Sequence, residues 1–275
     1  MKAAVLGSPV SHSLSPALHL AAYAALGLAG WSYRAIECDE AGLPGLLAGC
    51  GPDWAGLSLT MPLKQAVLPL LDTAEPAVTQ LAAANTVVLG GGARHGANTD
   101  VAGIQAALTG AGAAGAGPAV ILGAGATARA ALAALHGLGE RAATVAVRDP
   151  ARAGQTLAAA GRLGMLVTLA PFEPPGRGGY LLISTVPAGA ADGYAGKLAA
   201  GPAPAAVLDV VYHPWPTRLA AAARDAGAIV VGGFEMLLHQ AARQVELMTG
   251  QPAPAGPMRA AGQQELRRRA RPGLP

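Results

Sequence analysis

The sequence predicts an α/β protein of two domains, and three observations carry that expectation. Short apolar strands alternate with helical stretches through the first hundred residues. A stretch rich in glycine and alanine at 110–118 then interrupts the pattern without a sizeable apolar anchor, as a domain boundary does. Beyond it, a second series of strands is apolar throughout, the signature of a parallel sheet covered on both faces. With 52% hydrophobic but only 4% aromatic residues, both cores are expected to be built from close-packed aliphatic side chains.

Taken in order, the first domain reads as strand 3–6, helix 16–26, strand 32–37, helix 42–47 and strand 55–59. Helices at 64–71 and 77–83 and a strand at 86–89 follow, before a turn at 90–92. A helix at 104–108 continues to Gly110. In the second series, strands are expected at 119–122, 144–147, 181–184, 206–210 and 229–231, with helical intervals between most of them. The helix at 235–249 stops before Gly250 and carries Met236, Leu237, Ala241 and Val245 at helical spacing, so it can dock on another element and return to the first domain. After Pro252, the Gly/Pro/Arg composition predicts a flexible basic tail over 251–275, with at most a short helix near 260–270.

The formal net charge is +3. Residues 259–275 hold Arg259, Arg267, Arg268, Arg269 and Arg271 against Glu265, a local +4 that leaves −1 for the rest of the chain. The body therefore lacks the basic, aromatic-lined face of a nucleic-acid-binding protein, and the tail reads as a solvated extension. Two cysteines, Cys38 and Cys50, are too few for a disulfide framework and too far apart for a metal hairpin, which favours a reducing, cytoplasmic setting. Neither a signal-peptide core nor an apolar run of membrane-spanning length is evident. The six histidines and the scattered acids form no metal-ligand cluster, so catalysis without a metal is expected.

Chemistry first becomes legible at 119–128, where an apolar strand feeds a G-x-G-x-x-A turn made by Gly123, Ala124, Gly125, Ala126, Thr127 and Ala128, and then an Ala-rich helix. The first glycine permits the tight turn, the second lets a pyrophosphate approach, and small Ala128 lets the helix pack close to the sheet. Backbone N–H groups at the helix start can receive the phosphate oxygens. This is the loop of a Rossmann-like dinucleotide-binding domain. The next strand ends in Val147, Arg148 and Asp149, with Arg152 one turn farther on. The two arginines can clamp a 2′-phosphate and favour NADP(H), whereas Asp149 can accept ribose hydroxyls or cap the following helix.

Four polar segments stand at strand ends of the first domain: S-H-S-L-S-P at 11–16, S-L-T-M-P-L-K at 58–64, A-A-N-T at 83–86 and N-T-D at 98–100. Together with the glycine loop and G-F-E-M-L-L-H-Q at 233–240, in this order, they resemble the shikimate dehydrogenase family over essentially residues 2–250. The resemblance implies reversible NADPH-dependent reduction of 3-dehydroshikimate to shikimate. It also implies a discontinuous substrate domain, 1–103 completed by 233–250, with a cofactor domain, 104–232, inserted between. Lys64 and Asp100 match the family's catalytic pair. Ser13 and Ser15 match its substrate-carboxylate contacts; Thr60, Asn85 and Gln240 match contacts to the ring substituents, and Tyr212 a tyrosine near the carboxylate and nicotinamide. Arg148 matches the adenosine-phosphate anchor, although Val147-Arg148-Asp149 replaces the usual N-R-T. Thr185 and Val186, in S-T-V-P, approach the nicotinamide through their backbone, Gly233 offers a carbonyl to the carboxamide, and Met236 a contact to the nicotinamide ring. A quinate/shikimate dehydrogenase using NAD or NADP and a nonenzymatic dinucleotide sensor are the competing readings. Either a monomer or a homodimer fits the sequence.

Overall fold

The expected alternation is present from the first strand: β1 (Lys2–Gly7), α1 (Ser15–Ala25), β2 (Ser32–Glu37), α2 (Leu43–Ala48), β3 (Trp54–Leu59), α3 (Leu63–Ala66), β4 (Thr73–Ala74), α4 (Pro76–Leu81), β5 (Thr86–Gly90) and β6 (Ala93–Ala97). Next come α5 (Asp100–Gly110), β7 (Ala119–Leu122), α6 (Ala126–Gly137), β8 (Ala142–Val147), α7 (Gly154–Leu163), β9 (Leu166–Pro171), β10 (Leu181–Ser184) and α8 (Asp192–Leu198). The chain continues through β11 (Ala206–Asp209), α9 (Arg218–Asp225), β12 (Ile229–Gly232), α10 (Gly233–Thr249) and α11 (Ala255–Arg269). The structure is a computed structural model that describes residues 1–198 and 201–270. It divides into two compact units, Met1–Thr99 with Leu238–Pro275 and Asp100–Leu237. The divisions fall at 99/100 and 237/238 rather than at the expected 103/104 and 232/233, and the Gly/Ala stretch at 110–118, read as a boundary, lies inside the second unit. The whole of α5 goes with the second unit, and the second division lies inside α10.

In the first unit, six strands run in the order β2-β1-β3-β5-β6-β4. The parallel ladders set Leu6 opposite Ile36 on one side and Leu59 on the other, while the antiparallel ladders set Ser58 opposite Thr86 and Thr86 opposite Ala97. Aliphatic residues including Leu6, Leu43, Leu57, Leu63, Val78 and Val87 form one core cluster, as the low aromatic content predicts. Three local expectations need correction. A single helix over 64–71 does not form, because Pro69 has no N–H to continue it, and α3 gives way to a 3-10 turn at Leu68–Leu70. The turn at 90–92 is the tip of a hairpin whose second arm, β6, was not expected, with Gly91 and Gly92 at positive φ.

The third correction concerns the tail. In place of a flexible extension over 251–275, α11 packs on α1 within the first unit. Met258 and Gly262 are buried and Glu265, Leu266 and Arg269 half-buried, so one residue in every three or four meets the partner helix and desolvates that face. Residues 271–275 of the expected tail lie outside those described.

The second unit carries a six-stranded parallel sheet in the order β12-β11-β10-β7-β8-β9, the doubly wound arrangement with β7 at its centre. Five of its strands fall where expected; β9 is the additional one. Leu122, Ala146, Leu182, Val207 and Leu219 contribute to its core. No helix among the described residues is long and apolar enough to cross a membrane, and no group of three or more His, Cys, Asp or Glu side chains is placed to hold a metal ion.

Close packing of the first sheet is most exacting at Gly56. A Cβ added there meets the carbonyl oxygen of Val87 at 2.7 Å and Met248 Cε at 2.9 Å. Gly56→Ala is therefore expected to destabilise the protein by about 1–3 kcal/mol, read as a lower urea midpoint at unchanged slope. An unchanged midpoint would contradict this packing.

Candidate functional site

Register brings the four polar segments of the first unit to one edge of its sheet. Because β1 and β3 run parallel and level, their ends leave side by side, and the chain beyond them is tied by Thr60 N donating to Leu6 O (2.9 Å) and Ser8 N donating to Met61 O (2.9 Å). β5 runs the other way, so Asn85, which precedes it, arrives at that same edge, and the β5–β6 hairpin returns Asn98 and Thr99 beside it. Lys64 is half-buried in α3, whose position against Asn85 is held by Ala84 N donating to the Lys64 carbonyl (2.8 Å). Thr60 is half-buried at the end of β3.

Asn85 is buried, and its Oδ1 accepts from Thr99 N (2.8 Å) and Thr86 Oγ1 (2.9 Å), while its Nδ2 donates to Thr99 Oγ1 (3.0 Å) and Gln240 Oε1 (3.3 Å). One helical turn beyond Gln240, Gln244 accepts from Ser58 Oγ (2.8 Å) and donates to Thr86 Oγ1 (2.9 Å), and Ser58 in turn accepts from Tyr33 OH (2.7 Å). Burial pushes the Tyr33 phenol far above its ordinary range, against hydrogen bonds with Ser58 and Ser15. Gln244 and Tyr33 were not singled out in the sequence. Gln244 had a signal in its i+4 spacing from Gln240, whereas the Tyr33–Ser58 bond has none.

Ser13 is half-buried and its Oγ accepts from Ser15 N (3.2 Å). Ser15 is buried and opens α1, directly after the N-cap residue Leu14. Behind it, His19 Nδ1 lies 2.9 Å from the Ser15 carbonyl, and the ring stacks on Tyr33 at 3.9 Å between centroids.

In the second unit, β7 is followed by Gly123, whose φ of +97° an L side chain rarely adopts; a Cβ there meets Thr185 Oγ1 and Val186 Cγ1, each at 3.0 Å. Thr185 Oγ1 donates to Leu122 O (2.7 Å) and fixes that neighbouring strand end. Gly125 is the N-cap of α6 and supplies no side-chain cap, and the space around its Cα is open. Ala124, Ala126 and Thr127 are half-buried and Ala128 is buried against the sheet. Thr156, fully buried at the start of α7, donates to the Ala124 carbonyl (2.8 Å), and Arg129 in α6 donates to Gln155 beside it. Sequence reasoning missed both ties, since nothing local marks a side chain that bonds a backbone atom 32 residues away.

Arg148 is exposed at the end of β8, its guanidinium 5.3 Å from the Phe172 ring centroid. With Val147, Pro150, Leu169 and Phe172 it lines a groove of about 490 Å³. Asp149 is engaged locally, capping the turn at Pro150–Ala153 by accepting from Ala151 N (3.0 Å), and Arg152 is exposed on that turn. An uncapped helix start beside an open glycine, with an arginine-walled groove one strand away, fits a dinucleotide: pyrophosphate on the loop, adenosine in the groove. Tyr212 is half-buried after β11, where buried Asp209 accepts from Thr217 Oγ1 (2.7 Å) and Val211 N (3.3 Å). Gly233 and Met236 are buried in the first turn of α10, and buried Asp100 opens α5 immediately after Thr99.

Known proteins resemble this chain in sequence and fold. The family described as the Shikimate dehydrogenase substrate binding domain matches residues 5–87, and the Shikimate 5'-dehydrogenase C-terminal domain matches residues 233–261. A shikimate dehydrogenase (NADP(+)) of Thermus thermophilus is 40% identical over 259 residues, covering 93% of this chain and 95% of its own length. The crystal structure of Mycobacterium tuberculosis shikimate dehydrogenase is similar with a TM-score of 0.84 at 43% identity, over 96% of this chain and 99% of that one. The T. thermophilus enzyme in complex with NADP(H) and shikimate gives a TM-score of 0.84 at 36% identity, over 96% and 99% of the two chains.

The histidine beneath the serine loop makes the first unit acid-sensitive. Complete burial holds the His19 imidazole down at about 4 against an ordinary 6.5, partly opposed by its bond to the Ser15 carbonyl, and Nε2 has no partner. Protonation therefore favours the unfolded chain. The stability is fully present above pH 6.5 and is lost as pH falls from there through about 4, a change on the order of 3 kcal/mol. A falling Tm is expected across that window, and His19→Phe, which keeps a ring against Tyr33, should flatten it. Equal acid sensitivity in both proteins would reject the assignment.

Proposed function

Because the chain belongs to the shikimate dehydrogenase family, we propose that Lys64 and Asp100 serve as the acid–base pair for reversible NADP(H)-dependent interconversion of 3-dehydroshikimate and shikimate. The observation that carries this reading is the convergence of Thr60, Lys64, Asn85 and Thr99 at one sheet edge, with Asp100 next in the chain. NADPH bound at the glycine loop supplies the hydride. As negative charge develops on the ketone oxygen, the Lys64 ammonium stabilises it and delivers the proton. Asp100 orients that ammonium and accepts a hydrogen bond from a substrate hydroxyl.

Ser13 and Ser15 hold the substrate carboxylate with neutral hydroxyls, while Thr60, Asn85 and Gln240 bind the ring hydroxyls and Tyr212 lies near the carboxylate. Asn85 and Gln240 already bond one another, so their amides are set before substrate arrives and less is lost in ordering them. Arg148 and Arg152 take the 2′-phosphate, and the bond from Ala151 N to Asp149 supports a capping role for that carboxylate rather than a ribose contact. Gly123, Ala124, Gly125, Ala126, Thr127 and Ala128 cradle the pyrophosphate, with Thr185, Val186, Gly233 and Met236 at the nicotinamide. The two free thiols, Cys38 and Cys50, support a cytoplasmic setting.

Steady-state assays of shikimate and quinate, each with NADP and NAD, test the substrate assignment. We expect shikimate with NADP to be turned over at least tenfold more efficiently than any other pair, and a strong preference for quinate with NAD would overturn it. Lys64→Ala should lower kcat by about 10²–10⁴ while both ligands still bind. Wild-type turnover in that variant would reject the catalytic role.

A further inference from the structure

Helix α11 reaches the serine loop through Arg269. Arg269 Nη1 donates to the His12 carbonyl (2.7 Å) and Arg269 Nη2 to the Ser13 carbonyl (3.1 Å), while its Nε donates to Glu265 Oε1 (2.7 Å). We propose that Arg269 is a positioning residue for substrate binding, holding Ser13 in the conformation that receives the substrate carboxylate. The proposal rests on the role given to Ser13 above.

Peptide geometry carries the argument. The His12 carbonyl and the Ser13 N–H belong to one planar peptide unit, and both of its polar edges are held: the oxygen by Arg269 and the N–H by the Val10 carbonyl (3.0 Å). The Ser13 carbonyl belongs to the next unit, held by the other arm of the same guanidinium. A single rigid fork thus restrains the peptide planes on both sides of Ser13, leaving its χ1 as the main freedom. That freedom is in turn limited by the bond that Ser13 Oγ accepts from Ser15 N.

The fork is itself aimed. Glu265 accepts from Arg269 and, through both carboxylate oxygens, from Arg268 (2.8 Å each), and those hydrogen bonds hold its carboxyl down at about 2. Glu265 is therefore ionised throughout the range in which an enzyme is assayed. A further anchor of the loop comes from β2, where Glu37 accepts from Val10 N (3.2 Å). A lysine at 269 keeps the charge but lacks the planar fork, so it cannot restrain both carbonyls in the same way.

Steady-state kinetics on Arg269→Gln and Arg269→Lys, alongside Tm and the KM for each ligand, test this. In Arg269→Gln the KM for shikimate is expected to rise about tenfold, corresponding to loss of a charge-assisted contact. The KM for NADP should stay within twofold and kcat within threefold, and Arg269→Lys should give an intermediate KM for shikimate. If Arg269→Gln fails to fold, the ratio of the two KM values in Arg269→Lys decides. A KM for shikimate within twofold of wild type in the folded variants overturns the proposal, as does a parallel rise in both KM values tracking the fall in Tm. Failure of wild type itself to turn over shikimate would instead remove the substrate reading on which the proposal stands.

Discussion

Leu6 faces Leu59 across a parallel ladder and Ser58 faces Thr86 across an antiparallel one, and these two pairings decide where every polar segment of the first unit emerges. Side chains alternate strictly along a strand and β3 is buried on both faces, so a slip of one residue would drive Ser58 into the apolar core and set Leu57 and Leu59 against the polar partners of Ser58. The same slip would carry Thr60 and Lys64 along the sheet, away from Asn85. Here the apolar pattern that specifies the core also fixes the geometry of the candidate site.

The buried amides convert that geometry into rigidity. Asn85, Gln240 and Gln244 join strand ends to α10, and their bonds satisfy groups that would otherwise be desolvated without compensation. The second unit uses another strategy. Its central strands are largely apolar, and its polar groups gather at strand ends, at the glycine loop, Arg148, Thr185 and Asp209, and in the flanking helices at Arg129 and Thr156. In the first unit buried amides tie strand ends to a helix; in the second, Thr156 and Arg129 tie the glycine loop and α6 to the start of α7.

Much of this was legible in the sequence for physical reasons. Apolar runs bounded by Gly or Pro gave the central strands, and G-x-G-x-x-A after such a run marked the turn from β7 into α6. Elements without a strong apolar signal were the ones missed. β6 reads A-R-H-G-A and exists because β5 offers it an edge, and β9 is itself an edge strand with Leu166 77% exposed. α11 did carry a signal, in Met258, Gly262 and Leu266 spaced by four, but the surrounding Gly, Pro and Arg masked it. The family motifs named Ser13 and Asn85 as functional residues. They carried no information on Thr156, Tyr33 or Arg269, whose contacts depend on tertiary placement.

The discontinuity of the first unit also orders its assembly in time. Its opening ninety-nine residues contain Ser58, Asn85 and Thr86, but the glutamines that satisfy them arrive with α10, after all of the second unit's strands. Until then those polar groups must keep water, and the sheet edge they line cannot close. The inserted unit has no such dependence, because the whole of it, Asp100–Leu237, is one continuous stretch. During synthesis the inserted half can therefore gather all its own elements without interruption, while the half that opens the chain has every strand of its sheet early but waits for α10 and α11.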